Sequence, residues 1–305
     1  MADFFSGNQL FRTLAILLMV WSGPALAYTQ MPFIEKTPPR IWEQTPFVIG
    51  ENLYRAGFMR PKPHDTKAIV IEQYDPEKNV FWKVAELPWD LGLGCLLVDG
   101  NDVWVFGSTD WTAPDNEIRK QKIDPDKWTF SGDDSVVVQA PAGKSVFNCS
   151  VTKGPDKYVM VYETNEFKAF TGRFIQSTDL ETWSPIGEPL RPEVYNACQT
   201  IKYVGDGWYM VTWLWFDGTR YMTNVGRTRD FVTVEGWQGN ATYPATTQLL
   251  VPGKYEGINA SDNDFVEWNG KVYGTYFTGD QGTWGVNSDW WYAGTLADLY
   301  HEMWP

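Results

Sequence analysis

The stretch VYNACQTIKYVGDGWYMVTWLWFDG, Val194 to Gly218, decides the fold class because its pattern recurs along the chain. A short polar strand leads into a Gly-containing turn, and a second strand rich in aromatic and β-branched residues follows. Alternating segments around such a turn are typical of a β-hairpin. The same order occurs in three other segments, which are Gly92–Asp110, Val146–Glu166 and Gly257–Asp280.

A second pair of short strands follows each hairpin, most clearly in Gly172–Gly187, where Ser177 to Trp183 predicts a polar turn closed by a tryptophan. An earlier and less regular unit runs roughly from Phe47 to Trp82. Repeated four-stranded units predict an all-β fold, a five-bladed β-propeller. A β-sandwich is the alternative, but it would not require the hairpin to recur in register. Helical periodicity is confined to Leu296–Met303.

The N-terminal 27 residues have the pattern of an export signal. Arg12 precedes an apolar run from Thr13 to Trp21, and a small-x-small motif ends at Ala27. The run is shorter than the about 20 residues that a membrane-spanning helix needs, which disfavours an anchor. We therefore predict a signal peptide at residues 1–27, a single propeller domain at residues 28–305, and a secreted or periplasmic location.

Composition restricts the partners and the chemistry. A net charge of −13 opposes binding to nucleic acid or to an anionic membrane, so neither is a predicted partner of the mature chain. With only two histidines, catalytic triads and histidine metal sites have little material. The cysteines Cys95, Cys149 and Cys198 are odd in number with no close pair in the sequence, so we expect ordinary buried thiols and no disulfide framework. Chemistry, if present, falls on carboxylates.

Asp262 is the first candidate. In a propeller the innermost strands line a central channel, so residues near one end of those strands converge. Aligning the hairpins on their asparagines places Asp262 level with Val151 and Gln199, which shows that the fold does not require an acid there. A buried carboxylate is unfavourable unless it is paired or hydrogen-bonded, so we predict a functional Asp262; the alternative is an aspartate that caps backbone amides. Asp264 is expected on the same side of the strand by alternation.

Glu163 is the second candidate, because it ends an otherwise apolar strand and the corresponding places in the other hairpins hold no acid. The alternative is a solvated glutamate at a strand end. Acidic loop residues are weaker candidates, namely Asp90, Asp110, Asp115 and Glu117.

Carboxylates that meet in one pocket are the equipment for glycoside hydrolysis, in which one protonates the leaving group and the other acts as base or nucleophile. Burial and hydrogen bonds can divide these roles by moving the two pKa values apart. We predict a carbohydrate substrate, with Glu163 and Asp262 catalytic. The predicted substrate-binding residues are Asp264, Asn148, Asn196, Asn259, Gln199 and Trp215, and the further tryptophan candidates for sugar stacking are Trp111, Trp213, Trp284, Trp290 and Trp291.

Two alternatives stay open. The propeller could bind carbohydrate without turnover, or Asp262, Asp264 and nearby carbonyls could hold Ca²⁺, which prefers oxygen ligands. No other cofactor and no other metal are predicted.

The segments FNCSV and KYVMVYE, STDLETW, YNACQTIKYVGDGWYMV and INASDNDFVEWNGKVYGTYFTGDQG together resemble uncharacterised bacterial proteins grouped with the five-bladed propeller glycosidases of families 43, 32 and 117. The resemblance covers about Phe147 to Pro305. It implies three acidic residues from different blades around the axis and action on arabinan, xylan, fructan or algal galactan. Glu163 and Asp262 match two of the acidic positions, whereas the first-blade aspartate of those families has no clear counterpart here.

Overall fold

The computed structural model describes residues 28–31, 41–59, 68–92, 94–109, 113–168, 170–190, 195–236, 248–280 and 285–305. The predicted signal peptide at residues 1–27 lies outside these ranges, and so do Asp110, Trp111 and Trp284.

Three four-stranded antiparallel sheets follow one another along the chain after the N-terminal strand β1 (Tyr28–Met31). The first contains β2 (Ile41–Ile49), β3 (Asn52–Met59), β4 (Ala68–Asp75) and β5 (Val80–Pro88). The second contains β6 (Cys95–Asp99), β7 (Asp102–Ser108), β8 (Glu117–Asp124) and β9 (Thr129–Gln139). The third contains β10 (Val146–Lys153), β11 (Tyr158–Thr164), β12 (Thr171–Ser177) and β13 (Ser184–Pro185).

The remaining strands form one nine-stranded sheet that contains two antiparallel groups. One group is β14 (Thr200–Gly205), β15 (Trp208–Phe216), β16 (Tyr221–Thr228) and β17 (Glu235–Gly236), with β18 (Gln248–Leu250) paired to β16. The other is β19 (Asn259–Trp268), β20 (Lys271–Gly279) and β21 (Gly285–Tyr292), and β1 completes it by pairing with β21. A single parallel bridge between Tyr221 and Asn259 joins the groups.

The all-β prediction is confirmed. Counting the two groups of the large sheet separately gives the arrangement that five blades require, and the number five stays an interpretation of these groups.

The first strand of each four-stranded group lies next to the first strand of its neighbour. Thr45 on β2 donates a hydrogen bond to Asp264 on β19, and Thr200 on β14 donates to the carbonyl of Asn263 at 2.6 Å. Ile201 on β14 donates its N–H to the hydroxyl of Ser150 on β10 at 3.2 Å. These strands therefore surround a common axis, as the propeller prediction requires.

A β-bulge interrupts three of the first strands at the same level. The pairing shifts between Ile41 and Gln44 on β2, between Val146 and Cys149 on β10, and between Ser261 and Asp264 on β19. A bulge places two residues opposite one, and so turns side chains that strict alternation would direct elsewhere.

The bulges correct the alignment made from the sequence. Just before β14, Leu214 donates to the carbonyl of Ala197 whereas Thr200 faces Thr212, so this blade also carries an extra residue. Cys198 and Asp262 adopt left-handed φ values of 53° and 52° within their bulges. Asp262 is therefore level with Cys198, and not with Gln199 and Val151 as the sequence alignment predicts. The alternation argument for Asp264 does not hold across the bulge.

The outer hairpins share an aspartate turn. In each, one carboxylate oxygen accepts hydrogen bonds from the backbone N–H groups two and three residues later, and the four residues are Asp75, Asp124, Asp179 and Asp230. The predicted turn from Ser177 to Trp183 is one of them, with Trp183 Nε1 donating to the carbonyl of Leu180 at 3.0 Å. These acids therefore serve the fold.

The predicted C-terminal helix is confirmed as α1 (Leu296–Met303). Thr295 caps its N-terminus in a reciprocal pair with Asp298, and the helix buries Leu299, Tyr300 and Met303. No helix in the described part of the chain is long and apolar enough to cross a membrane.

Arg55 links the first sheet to the last group, and its loss is expected to destabilise the fold. Its buried guanidinium lies 2.6 Å from Glu72 and 3.4 Å from Asp289 on β21. Arg55→Met would leave two acids without their cation, and we expect the free energy of unfolding to fall by about 3–5 kcal/mol in a urea titration. Arg119→Met is the matched control, because that arginine is 30% exposed and should lose at most about 1 kcal/mol. Equal losses for both variants would contradict this role for Arg55.

Candidate active site

A small cavity lies on the axis at the level of the bulges. Its volume is about 30 Å³, and the innermost segment of every four-stranded group contributes to it, through residues 43–45, 94–95, 148–150, 198–200 and 262–264. We name it the axial cavity. The bulges explain its lining, because they direct consecutive residues of one strand toward the axis.

Glu163 lies beside this cavity on β11, only 1% exposed. Its Oε1 atom accepts hydrogen bonds from the backbone N–H of Cys198 at 2.5 Å and from the side-chain amide of Asn148 at 3.3 Å. Its Oε2 atom is buried, and no described residue forms a hydrogen bond with it. One oxygen is thus held in position, and the other is left for an additional partner.

Burial raises the pKa of Glu163 from its ordinary value of 4.5 to about 8. The negative charge of Asp262 adds to this rise, and the hydrogen bonds from Cys198 and Asn148 oppose it. The carboxyl group is therefore mostly protonated at neutral pH, which is the state that a general acid needs.

Asp262 provides the neighbouring carboxylate. Burial raises its pKa, while hydrogen bonds from the Cys198 thiol and the Ser261 hydroxyl oppose the rise by stabilising the ionised form. The charge of Asp262 in turn contributes to the raised pKa of Glu163, so ionisation of one carboxyl group opposes ionisation of the other. The arrangement suits one protonated and one ionised carboxyl group side by side.

Cys198 connects the two acids, which the sequence did not reveal. Its backbone N–H donates to Glu163, and its thiol donates to Asp262. Cys198 is a free thiol of intermediate exposure, so it is less buried than expected, and its role stays a prediction. Cys95 and Cys149 are buried as expected, although folding brings their thiols into hydrogen-bond contact across neighbouring blades.

Glu43 is a third carboxylate at the axis. It lines the axial cavity from β2. Burial raises the pKa of the Cys198 thiol, and the charge of Glu43 adds to that rise after those of Asp262 and Glu163. Sequence analysis missed it because the first unit was read from Phe47, whereas β2 begins at Ile41. The signal available was an acid in the segment IWEQTPFVI. The first sheet thus contributes an acid to the axis, although the sequence showed no clear counterpart of the first-blade aspartate of the families that it resembles.

Asp264 is engaged elsewhere in the axial cavity. It forms an ion pair with Lys202 at 2.7 Å and accepts a hydrogen bond from Thr45. Within the described ranges, no group of three or more His, Cys, Asp or Glu side chains could hold a metal ion. The Ca²⁺ alternative stays a prediction.

The predicted amide residues separate into two groups. Asn148 and Gln199 line the axial cavity. Asn196 instead donates to the carbonyl of Leu190 at 2.7 Å and accepts from the N–H of Gly172 at 3.0 Å, and Asn259 donates to the Ser261 hydroxyl at 2.8 Å. Both are fully buried, so the structure places them among groups that maintain the fold.

Several weaker candidates also have structural contacts. Asp115 accepts a hydrogen bond from the N–H of Gly143 at 2.6 Å, and Glu117 pairs with Arg119 at 3.1 Å. Trp213 and Trp290 are buried in the core, and Trp291 packs on Tyr273 with ring centroids 4.7 Å apart.

The structure also contains a larger pocket, of about 440 Å³. We name it the aromatic pocket, and it is lined by Lys168, Tyr195, Trp215, Phe216 and Tyr221. Tyr195 connects this pocket with the two acids. Burial raises the pKa of its hydroxyl, and the nearby charges of Glu163 and Asp262 add to that rise. Of these residues only Trp215 was predicted from the sequence. Tyr195, Phe216 and Tyr221 gave no distinguishing signal among many aromatic residues, and Lys168 gave none either.

Comparisons with solved structures show the same fold in glycoside hydrolases. An α-L-arabinofuranosidase from Fusarium graminearum, in complex with an iminosugar inhibitor, is 11% identical with a TM-score of 0.60, covering 90% of this chain and 99% of that one. A GH43 endo-arabinanase from Bacillus licheniformis is 11% identical with a TM-score of 0.57, covering 83% and 95%. A GH32 β-fructofuranosidase from Bombyx mori, in complex with sucrose, is 12% identical with a TM-score of 0.59, covering 83% and 60%. No family model and no curated protein matches the chain.

Proposed function

We propose that this chain is a secreted glycoside hydrolase that cleaves a plant or algal oligosaccharide or polysaccharide at the propeller axis. The observation that carries the proposal is the state of Glu163: buried, held by one oxygen, with a pKa raised to about 8 beside the carboxylate of Asp262. The structural similarity to an α-L-arabinofuranosidase, an endo-arabinanase and a β-fructofuranosidase supports a carbohydrate as the substrate class. Export rests on the signal-peptide pattern at residues 1–27.

In the proposed reaction, Glu163 donates its proton to the glycosidic oxygen as the bond to the leaving group breaks. Asp262 stabilises the positive charge that develops on the sugar, and either attacks the anomeric carbon or removes a proton from the attacking water. Glu43 adds negative charge at the same axis. Tyr195 and the aromatic pocket hold the sugar next to the acids, and Asn148 fixes the orientation of Glu163.

The direct test is hydrolysis by the purified mature chain. Arabinan, fructan, rhamnogalacturonan, xylan and algal galactan oligosaccharides would be incubated with the protein, and released sugars would be measured by chromatography. We expect product from at least one class. Saturable binding without product would favour the alternative of a non-catalytic carbohydrate-binding propeller, for which the aromatic pocket would serve equally well.

Cys198 should set the acid side of the pH profile. Cys198→Ala removes the thiol donor that stabilises ionised Asp262, so the pKa of Asp262 should rise. We expect the acidic limb of kcat/KM against pH to move to higher pH by about 0.5–1 unit. Cys198→Ser keeps a donor and should stay close to the wild type. Overlapping profiles for the alanine variant and the wild type would rule out this role for the thiol.

A further inference from the structure

The aromatic pocket has the size of a ligand site, which the axial cavity does not. A volume of about 440 Å³ lies within the range of roughly 300–1,000 Å³ that is usual for small-molecule pockets. The axial cavity, at about 30 Å³, has room for little more than a water molecule. Of these two cavities among the described residues, the aromatic pocket is the one with room for a sugar.

Three rings give this pocket a continuous aromatic wall. Phe216 and Tyr221 lie with ring centroids 4.5 Å apart at an interplanar angle of 31°, and Tyr195 follows with its centroid 6.3 Å from that of Tyr221. Phe216 is 39% exposed, so the wall continues to the surface. Such a wall can pack against the apolar face of a sugar ring. It does not by itself favour a charged sugar over a neutral one.

Among the described residues that line the aromatic pocket, Lys168 is the one that carries a charge. No carboxylate in the described ranges forms an ion pair with it, whereas several other lysines have an acid partner, such as Lys153 with Asp99 at 2.5 Å and Lys202 with Asp264 at 2.7 Å. In a chain with a net charge of −13, the general field opposes an anionic ligand. An exposed and unpaired ammonium group at this pocket would oppose that field locally.

We propose that the aromatic pocket binds a sugar unit that carries a carboxylate, that is, a uronic acid, and that Lys168 recognises its charge. The aromatic wall packs against the ring, and the lysine ammonium pairs with the carboxylate. The proposal deepens the proposed function by naming the substrate class, but it concerns binding and does not require turnover.

The test uses disaccharides that differ only in charge. Digalacturonate, diglucuronate and dimannuronate would each be compared with their neutral methyl esters by calorimetric titration into the full mature chain at low salt. We expect at least one acid to bind about three- to tenfold more tightly than its ester, a preference that added salt should reduce. Lys168→Gln should remove the preference and leave the affinity for the ester unchanged.

Lys271→Gln is the matched control, because this lysine is exposed and lines neither cavity, and it should keep the preference. The proposal is overturned if no acid binds the wild type, if acid and ester bind equally, or if the preference survives in Lys168→Gln. Acid binding that depends on Lys168 without any hydrolysis would disprove only the proposed function. Hydrolysis of neutral chains alone, with no Lys168-dependent preference, would disprove only this proposal.

Discussion

Glu163→Gln should lower kcat/KM by about 10²- to 10⁴-fold while the protein stays folded, because glutamine keeps the shape of the side chain but has no acidic proton. The loss should depend on the leaving group. For an aryl glycoside with a strongly acidic phenol, the leaving group departs without protonation, so the variant should lose much less activity than it does on a natural glycoside. Initial rates on both substrates provide the measurement.

Glu166→Gln is the control for this variant. Glu166 lies just beyond the end of the same strand and forms an ion pair with Arg173 at 3.7 Å, so its loss should change kcat/KM by less than about threefold. If Glu163→Gln retained full activity on natural glycosides, or lost the same factor on both leaving groups, Glu163 would not be the general acid.

The same substitution should also change how stability depends on pH. The pKa of Glu163 is raised from 4.5 to about 8 in the folded chain, so the folded state favours the protonated form. The stability associated with that proton is fully present below pH 4.5 and is lost as pH rises through about 8. Wild-type Tm should therefore fall across this window, and the fall should be smaller in Glu163→Gln.

Asp262→Asn is expected to reduce kcat/KM by about 10³-fold or more, with little loss of folding. The asparagine cannot act as base or nucleophile, and it removes the negative charge that stabilises the developing positive charge on the sugar. In contrast to Glu163→Gln, the loss should be similar for good and poor leaving groups. Turnover and urea unfolding would be measured on the same preparation.

Asp264→Asn makes the contrast with Asp262→Asn informative, because the two residues are close in sequence and differ in their contacts. Asp264 pairs with Lys202, so its substitution should lower the free energy of unfolding by about 1–3 kcal/mol and leave turnover within a few-fold of the wild type. A reversed outcome, with activity lost in Asp264→Asn and retained in Asp262→Asn, would show that the two aspartates have been assigned the wrong roles.

The repeated hairpins were predictable because they depend on local chemistry. Alternating residues, Gly-containing turns and the turn at Asp179 act over a few residues each, and the sequence displays them directly. The terminal helix at Leu296–Met303 was predictable for the same reason, since the apolar spacing in this segment is local.

The bulges were not predictable, because an extra residue in one strand is defined only against its partner strand. The shift between Ser261 and Asp264 placed Asp262 level with Cys198, which no alignment of asparagines could show. The same shift invalidated the alternation argument for Asp264. Glu43 was missed for a related reason. It lies at the bulge between Ile41 and Gln44, and the segment before Phe47 shows no clear hairpin pattern in the sequence.

The candidate catalytic pair was accessible from the sequence, whereas the rest of the site was not. Glu163 and Asp262 each stand at a position where the other hairpins hold no acid, so each can be recognised from the sequence without knowing its contacts. Tyr195, Lys168 and the Cys198 thiol become informative only through their positions relative to those acids. Such contacts join different blades and carry no local signal.

The central claim is that Glu163 and Asp262 form one electrostatically coupled pair. Titrating the carboxyl carbons of selectively labelled protein by NMR tests it without any substrate. Glu163 should titrate near pH 8 in the wild type, and its pKa should fall in Asp262→Asn because a neighbouring negative charge is removed. A Glu163 that titrates near 4.5, or one whose pKa is the same in both proteins, would contradict the account.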